Sequence, residues 1–487
     1  MTSLFAVDNA DTRSAQEARP VQGTPDSKAL YFALLDTPAE AAAASRAYLQ
    51  AQIAAARTIG ADDLPEAPWQ LQGWIQGRAE TVGLAYREYL AARKNGAPRR
   101  YFSNKSHALY FLKGAAPTKL VDGAWLYGVL PRWENPDFHP LIKTYLEELG
   151  DGVPDKNHVT LYRRLLAAHG CEHWEDLSDE HFVQGAIQLA LAYHADAFLP
   201  EVVGYNLGYE QLPLHLLITS YELNELGIDP YYFTLHVTVD NAGSGHAHKA
   251  VQAVRTLAAQ SGDPAAFWRR VLDGYRLNDL GACTTSIIGA FDLEAELVEI
   301  FTAKAAIGKN MHSDYCRVAG RSVNDWLGEP KDIPDFLKAM EDSGWIQRGE
   351  AVENSRFWRL IQGERAEMFG VFSSYEQQVL RDWITSTRDD ARSSRTGRVL
   401  SHRARQRTLD KLNQQGERSG YPERGLIRRR SAGAGGDSEL VQLEERVASA
   451  AGKQEAMAML ARLMSPSVHH TAIGLMATRM YSRLLDA

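Results

Sequence analysis

Three histidines and one aspartate stand between residues 236 and 248: His236, Asp240, His246 and His248. Imidazole and carboxylate together are the donor set of non-haem iron, manganese and zinc. His236 and Asp240 are four apart, so on a helix both side chains share a face. His246 is ten residues beyond His236, about 80° off that face on a regular helix. The residues between Asp240 and His246, Asn241-Ala-Gly-Ser-Gly245, form helix poorly. A π-bulge or local unwinding there would turn His246 into line. His248 falls further from the face and is the second choice for that position.

Further donors lie upstream. In Glu148-Leu-Gly150-Asp-Gly152…His158 a helix is expected to end at Gly-Asp-Gly and another to begin near His158. Glu148 and His158 would then project from facing helix ends. The alternative is a surface glutamate and a capping histidine. In Pro200-Glu201-Val-Val-Gly204…Gly208-Tyr-Glu210, Pro200 suits a first helical turn and Glu201 complements the helix dipole there. Glu201 and Glu210 are nine apart, about 180° around a regular helix, and cannot both face one site without distortion. Gly204 and Gly208 leave one helix face bare for a close neighbour. Asp122 offers a further carboxylate, a contact behind the ligands, or simply a helix start.

The elements that must carry these residues read as helices. Apolar residues recur at three- and four-residue steps over Ala39–Ala56, Trp69–Arg93, Leu141–Leu149, Val159–Ala168, Asp179–Ala195, Glu201–Leu226, His246–Ala259 and Pro264–Tyr275. Sustained β alternation is scarce, so the expected class is all-α. The expected organisation is a mobile tail over 1–28, a helical bundle with the metal site over 29–300, a Trp-rich appended subdomain over 301–386, a basic linker over 387–436 and C-terminal helices over 437–487. The linker is rich in Arg, Ser, Gln and Gly and poor in large apolar residues.

The 487 residues are 45 % hydrophobic and 23 % charged, ordinary for a globular protein, and the net charge of -8 argues against nucleic acid as the main partner. No apolar run is long enough to span a bilayer. The N-terminus lacks a basic stretch followed by an apolar one, so no secretory signal is expected. Three scattered cysteines (Cys171, Cys283, Cys316) give no zinc or disulfide pattern and suit the cytoplasm.

In order, Glu148, His158, Glu201, His236, Asp240 and His246 resemble the ligand series of the haem-oxygenase-like di-iron oxidases and oxygenases, in particular the bacterial iron-containing redox enzymes. The resemblance covers roughly residues 80 to 280. It implies a haem-oxygenase-like helical bundle holding two Fe(II) ions, with O2 as co-substrate and an external reductant. The third histidine of that series falls seven residues after the first, where this chain has Gly243, so His246 or His248 must replace it. The middle carboxylate is Glu201 or Glu210, with Glu201 the first choice. The implied reactions are N-oxygenation, oxidative C–C cleavage or desaturation of a small amine, amino acid or carboxylic acid in specialised metabolism. Lys119, Arg163, Arg164 and Lys249 are candidates to hold a substrate carboxylate, and Tyr205, Tyr209 and Tyr231 to line a pocket. Trp326 and Trp358 are candidates for a wall over it; His312 and Cys316 pair at helical spacing without a third partner. Two other functions compete: a metal-free oxidase of the same fold, and a binding protein whose Arg-rich segment engages nucleic acid.

Overall fold

The computed structural model describes residues 26–59, 64–239, 245–363, 365–386 and 434–487, with only the backbone course given at 238, 239 and 434–437. The chain runs through α1 (Ser27–Asp36), α2 (Ala42–Ala56), α3 (Leu71–Lys94), α4 (Lys105–Gly114), α5 (Ala116–Lys119), α6 (His139–Glu148), α7 (His158–His169), α8 (Val183–Tyr193), α9 (Leu199–Tyr209), α10 (Leu214–Glu225) and α11 (Tyr231–Val239). It continues through α12 (His246–Gln260), α13 (Pro264–Arg276), α14 (Thr284–Gly289), α15 (Leu293–Gly308), α16 (Val323–Trp326), α17 (Ile333–Asp342), α18 (Arg356–Ile361), α19 (Ser374–Thr385), α20 (Ala434–Ala448), α21 (Lys453–Leu463) and α22 (Ala472–Asp486). Among the described residues the β-structure is one antiparallel pair, Arg317–Val318 with Arg321–Ser322. The all-α class read from the periodicity is borne out.

Local chemistry sets the helix starts. Asp26, Asn157, Asp263 and Asp292 each accept a backbone N–H in the first turn of the helix they precede. One expectation changes. The stretch Glu201–Leu226 is two helices, because Pro213 has no N–H to continue α9 into α10. That break leaves Glu210 at the C-terminal cap of α9 rather than inside a longer helix.

Two apolar cores hold the helices. The first joins α1, α2, α6, α8, α9, α12 and α13 with α20 to α22, and is centred on fully buried rings such as Tyr31, Trp125 and Tyr205. Here α9 and α13 touch backbone to backbone. A Cβ on Gly204 would lie 2.0 Å from the Val271 carbonyl oxygen, and one on Gly274 would lie 2.1 Å from that of Glu201. Glycine at both positions lets Val202, Val203 and Val271 bury completely, each such side chain contributing about 1.5–3 kcal/mol. The bare face expected from Gly204 and Gly208 is therefore occupied by α13.

The second core combines α4, α7 and α11 with the chain from Ile287 to Ile384, and Trp358 and Trp383 are buried within it. It crosses the boundary expected at residue 300. Of the expected tail, residues 1–25 lie outside the described residues, as do residues 387–433 of the expected linker. Near the junction of the two halves, Glu222 on α10 is fully buried. Its carboxylate accepts the Tyr89 hydroxyl at 2.7 Å and the N–H groups of Tyr101 at 3.0 Å and Phe102 at 2.9 Å.

Candidate metal centre

Six side chains from six parts of the chain converge in the interior. Asp122 lies in the turn after α5, Glu148 is the last residue of α6, and His158 is the first of α7. Glu210 caps α9, His236 lies on α11 and His246 opens α12. Asp122, Glu148, His158 and His236 bring one donor atom each to within 4.8 Å of one another, and Glu148, Glu210 and His246 do the same. All six are buried. Glu148 belongs to both groups and turns a different oxygen to each. Its Oε2 lies 2.5 Å from His158 Nδ1, and its Oε1 lies 3.4 Å from His246 Nδ1.

Hydrogen bonds around the cluster decide which atoms face it. His236 Nδ1 is 2.8 Å from the Tyr232 carbonyl oxygen. A carbonyl only accepts, so Nδ1 carries a proton, and Nε2 is the ring atom turned to Asp122 Oδ2, 3.4 Å away. His246 Nε2 is 2.7 Å from the Glu147 carboxylate, which directs Nδ1 at Glu210 Oε2, 3.0 Å away. Carboxylates and carbonyls behind histidine are the usual supports of metal-binding imidazoles. Asp122 accepts the hydroxyls of Tyr209 at 2.6 Å and Tyr232 at 2.5 Å, and Lys119 Nζ donates to the Tyr209 oxygen at 2.7 Å.

The electrostatics follow from burial against proximity. Burial pushes the Asp122 carboxyl up, but Lys119 and the imidazoles of His158 and His236 outweigh it and hold it well below the usual range. Burial likewise raises Glu148, and His158 reverses the direction. For His158 burial favours the neutral ring, yet Glu148 and Asp122 raise its pKa to about 10. Tyr209 and Tyr232 are held well above the ordinary phenol, first by burial and then by Asp122.

The donor set fits a cation. Glu148 Oε2, His158 Nδ1 and His236 Nε2 are buried and make no hydrogen bond of acceptable geometry, although they lie close together. Buried carboxylates normally sit beside a counter-charge or a metal. Three carboxylates and three imidazoles supply oxygen and nitrogen donors suited to first-row divalent ions.

Measured against the sequence, Glu148, His158, His236 and His246 come together. Glu201 does not join them. It is held by Arg270, with its two oxygens 2.7 and 2.6 Å from Nε and the terminal nitrogen, and Glu210 stands in the cluster instead. Nine residues along α9 separate the two glutamates by half a turn, and that face of α9 is given to α13. His248 is in neither group, and Asp240 lies outside the described residues. Gly245 has an extended backbone, so α12 starts anew at His246 instead of continuing α11, the interruption that this histidine required. Lys249 is paired with Glu147 and Arg164 with Asp155, while Tyr205 donates to Gln184 and Tyr231 is exposed. Glu147 and the Tyr232 hydroxyl carried no sequence signal of their own: their partners, His246 and Asp122, are distant in the chain.

Residues 109–279 match the family model described as iron-containing redox enzyme. The resemblance read from the sequence is thereby borne out, and every clustered side chain lies inside the matched segment. No curated protein and no solved structure matches the chain. Within the matched segment, buried oxygen and nitrogen donors lie together at one place. Among the described residues no helix is long and apolar enough to cross a membrane.

Proposed function

We propose that the chain is an O2-dependent non-haem di-iron oxidase or oxygenase acting on a small amine, amino acid or carboxylic acid, with an external reductant. The observation that carries this reading is Glu148, one carboxylate shared by two donor groups through separate oxygens. A carboxylate with one oxygen turned to each donor group would suit two neighbouring cations. Asp122, His158 and His236 would hold one iron with Glu148, and Glu210 and His246 the other. Bound there, iron supplies the electrons that reduce dioxygen, coupled to oxidation of the organic substrate.

The chain's own residues supply the rest. Burial of all six donors keeps bulk water out and strengthens every charge interaction among them. The Tyr232 carbonyl fixes the His236 ring, and the Tyr209 and Tyr232 hydroxyls fix Asp122 as a charged acceptor. Lys119 and Lys249 already have partners in Tyr209 and Glu147, which weakens the expectation that they hold a substrate carboxylate.

The test is anaerobic Fe(II) loading followed by metal analysis and O2 uptake across a panel of amines, amino acids and fatty acids. About two irons per chain are expected, with His236→Ala losing at least one. An iron content undiminished in His236→Ala would remove His236 from the set. Substrate-dependent O2 uptake by metal-free protein would favour the cofactor-independent oxidase.

A further inference from the structure

The family match ends at Asp279, yet the turn between Glu148 and His158 is enclosed by residues from the far C-terminus. Helices α21 and α22 pack on each other, and α22 packs on this turn. Three polar contacts tie the hairpin to this turn and to α6 before it. The Tyr145 hydroxyl donates to the Met464 carbonyl at 2.5 Å, Arg479 Nε donates to the Gly152 carbonyl at 2.9 Å, and Asn157 Nδ2 donates to His469 Nδ1 at 3.1 Å. The fit is tight: a Cβ on Gly152 would lie 2.3 Å from the Leu475 carbonyl oxygen.

Asn157 is the centre of this arrangement. It is fully buried, and its Oδ1 accepts the Thr160 N–H, capping α7 at the turn that begins with His158. Its Nδ2 donates both to the Leu149 carbonyl, 3.2 Å away and next to Glu148, and to His469. One amide therefore joins the end of α6, the start of α7 and the C-terminal hairpin. His469 is itself buried, so the Asn157 proton directed at it has no water to turn to if that acceptor is removed.

We propose that His469 is a positioning residue for the Glu148–His158 pair, and that the α21–α22 hairpin is a working part of the metal centre. This rests on the metal reading above. Partners behind metal ligands change metal affinity by roughly 10–100-fold when removed.

The test is Co(II) titration of the full-length chain, read by visible absorbance alongside the melting temperature of the metal-free protein. His469→Leu removes the acceptor. His469→Gln restores one through its amide oxygen. Leu460→Ala deletes buried apolar packing from the same hairpin without touching the turn's hydrogen bonds. Expected are a loss of at least tenfold in Co(II) affinity for His469→Leu, recovery of most of it in His469→Gln, and near-normal affinity with a lowered melting temperature for Leu460→Ala. Wild-type affinity in His469→Leu would overturn the proposal. So would affinity losses in His469→Leu and Leu460→Ala that merely track their melting temperatures. Should His469→Leu fail to fold, Arg479→Met is read the same way, with a several-fold loss expected and an unchanged affinity overturning it. A wild-type chain that takes up no Co(II) would sink the metal reading as well, and is thereby distinguishable from failure of the clamp alone.

Discussion

Glu201 and Glu210 stand at opposite ends of one short helix, and a pair of isosteric substitutions that remove one charge each separates their roles. Glu201→Gln keeps the shape of the side chain but removes half of the ion pair with Arg270. Glu201 is almost wholly buried, whereas the Arg270 side chain is 40 % exposed and can turn to water. The loss is therefore smaller than for a fully buried pair, about 1–3 kcal/mol. For a chain of this length that is a fall of roughly 1–6 °C in melting temperature, at about 1–2 °C per kcal/mol. Its metal content should equal that of the wild type. Glu210→Gln should do the opposite. It removes a charged donor from the group with Glu148 and His246, and at least a ~100-fold loss of affinity, about 2.7 kcal/mol, is expected for the ion held there. Loaded under limiting Fe(II) or Co(II), this variant should retain about one ion in place of about two. The assay is metal analysis after desalting, with thermal melts of the metal-free proteins in parallel. Loss of metal in Glu201→Gln together with full occupancy in Glu210→Gln would refute the assignment and return the carboxylate role to Glu201.

Three further outcomes are expected. Gly204→Ala should destabilise by about 3 kcal/mol, seen as a lowered urea midpoint, because its methyl meets the Val271 backbone oxygen at 2.0 Å, while Gly73→Ala, with open space around it, should be neutral or gain up to ~1 kcal/mol. His469 is held neutral in the fold, burial and then the neighbouring His470 and Arg163 depressing its pKa to about 3 from an ordinary 6.5. The unfolded chain therefore binds the extra proton first, and this contribution to stability, complete above about pH 6.5, falls by up to ~1.4 kcal/mol per pH unit as pH drops toward 3. Urea midpoints between pH 7 and 5 should fall less steeply in His469→Gln, and an unchanged slope would contradict this account. Cys283 and Cys316 are exposed, whereas Cys171 is buried with its thiol pushed up to about 12 by burial. A thiol reagent at pH 8 should modify two cysteines in the native protein and the third only on unfolding; rapid reaction of all three would show Cys171 to be accessible.

Legibility in the sequence followed the range of the interactions. Glu148 and His158 could be read because a Gly-Asp-Gly turn, a local signal, ends one helix after Glu148 and lets the next begin near His158. His246 could be read because Gly243 and Gly245 disfavour one continuous helix. The choice between Glu201 and Glu210 could not be read in the same way. Helical spacing says only that the two diverge. Which of them faces the other donors depends on α13, whose Gly274 backs onto Glu201 and whose Arg270 captures its carboxylate. A glutamate in the first turn of a helix looks alike whether it serves a metal or an arginine contributed from seventy residues away.

The same reasoning explains why Asp122 stayed ambiguous and Glu147 unnoticed. Asp122 is defined by Tyr209 and Tyr232, and Glu147 by His246 and Lys249, all about ninety to a hundred and ten positions further along the chain. None of these pairs has a spacing that a local pattern can reveal. The site thus divides into two sorts of residue. Four of those that face the cluster, Glu148, His158, Glu210 and His246, sit at helix ends, where turn chemistry can announce them, while His236 lies within α11. Those that set the orientation of the facing residues, such as Glu147, Tyr209 and the Tyr232 hydroxyl, are specified by contacts with residues far along the chain. Substitution of the second sort should leave the fold intact and alter how tightly the centre binds, which makes metal affinity, and not stability, the measurement that separates an orienting side chain from one that only fills space.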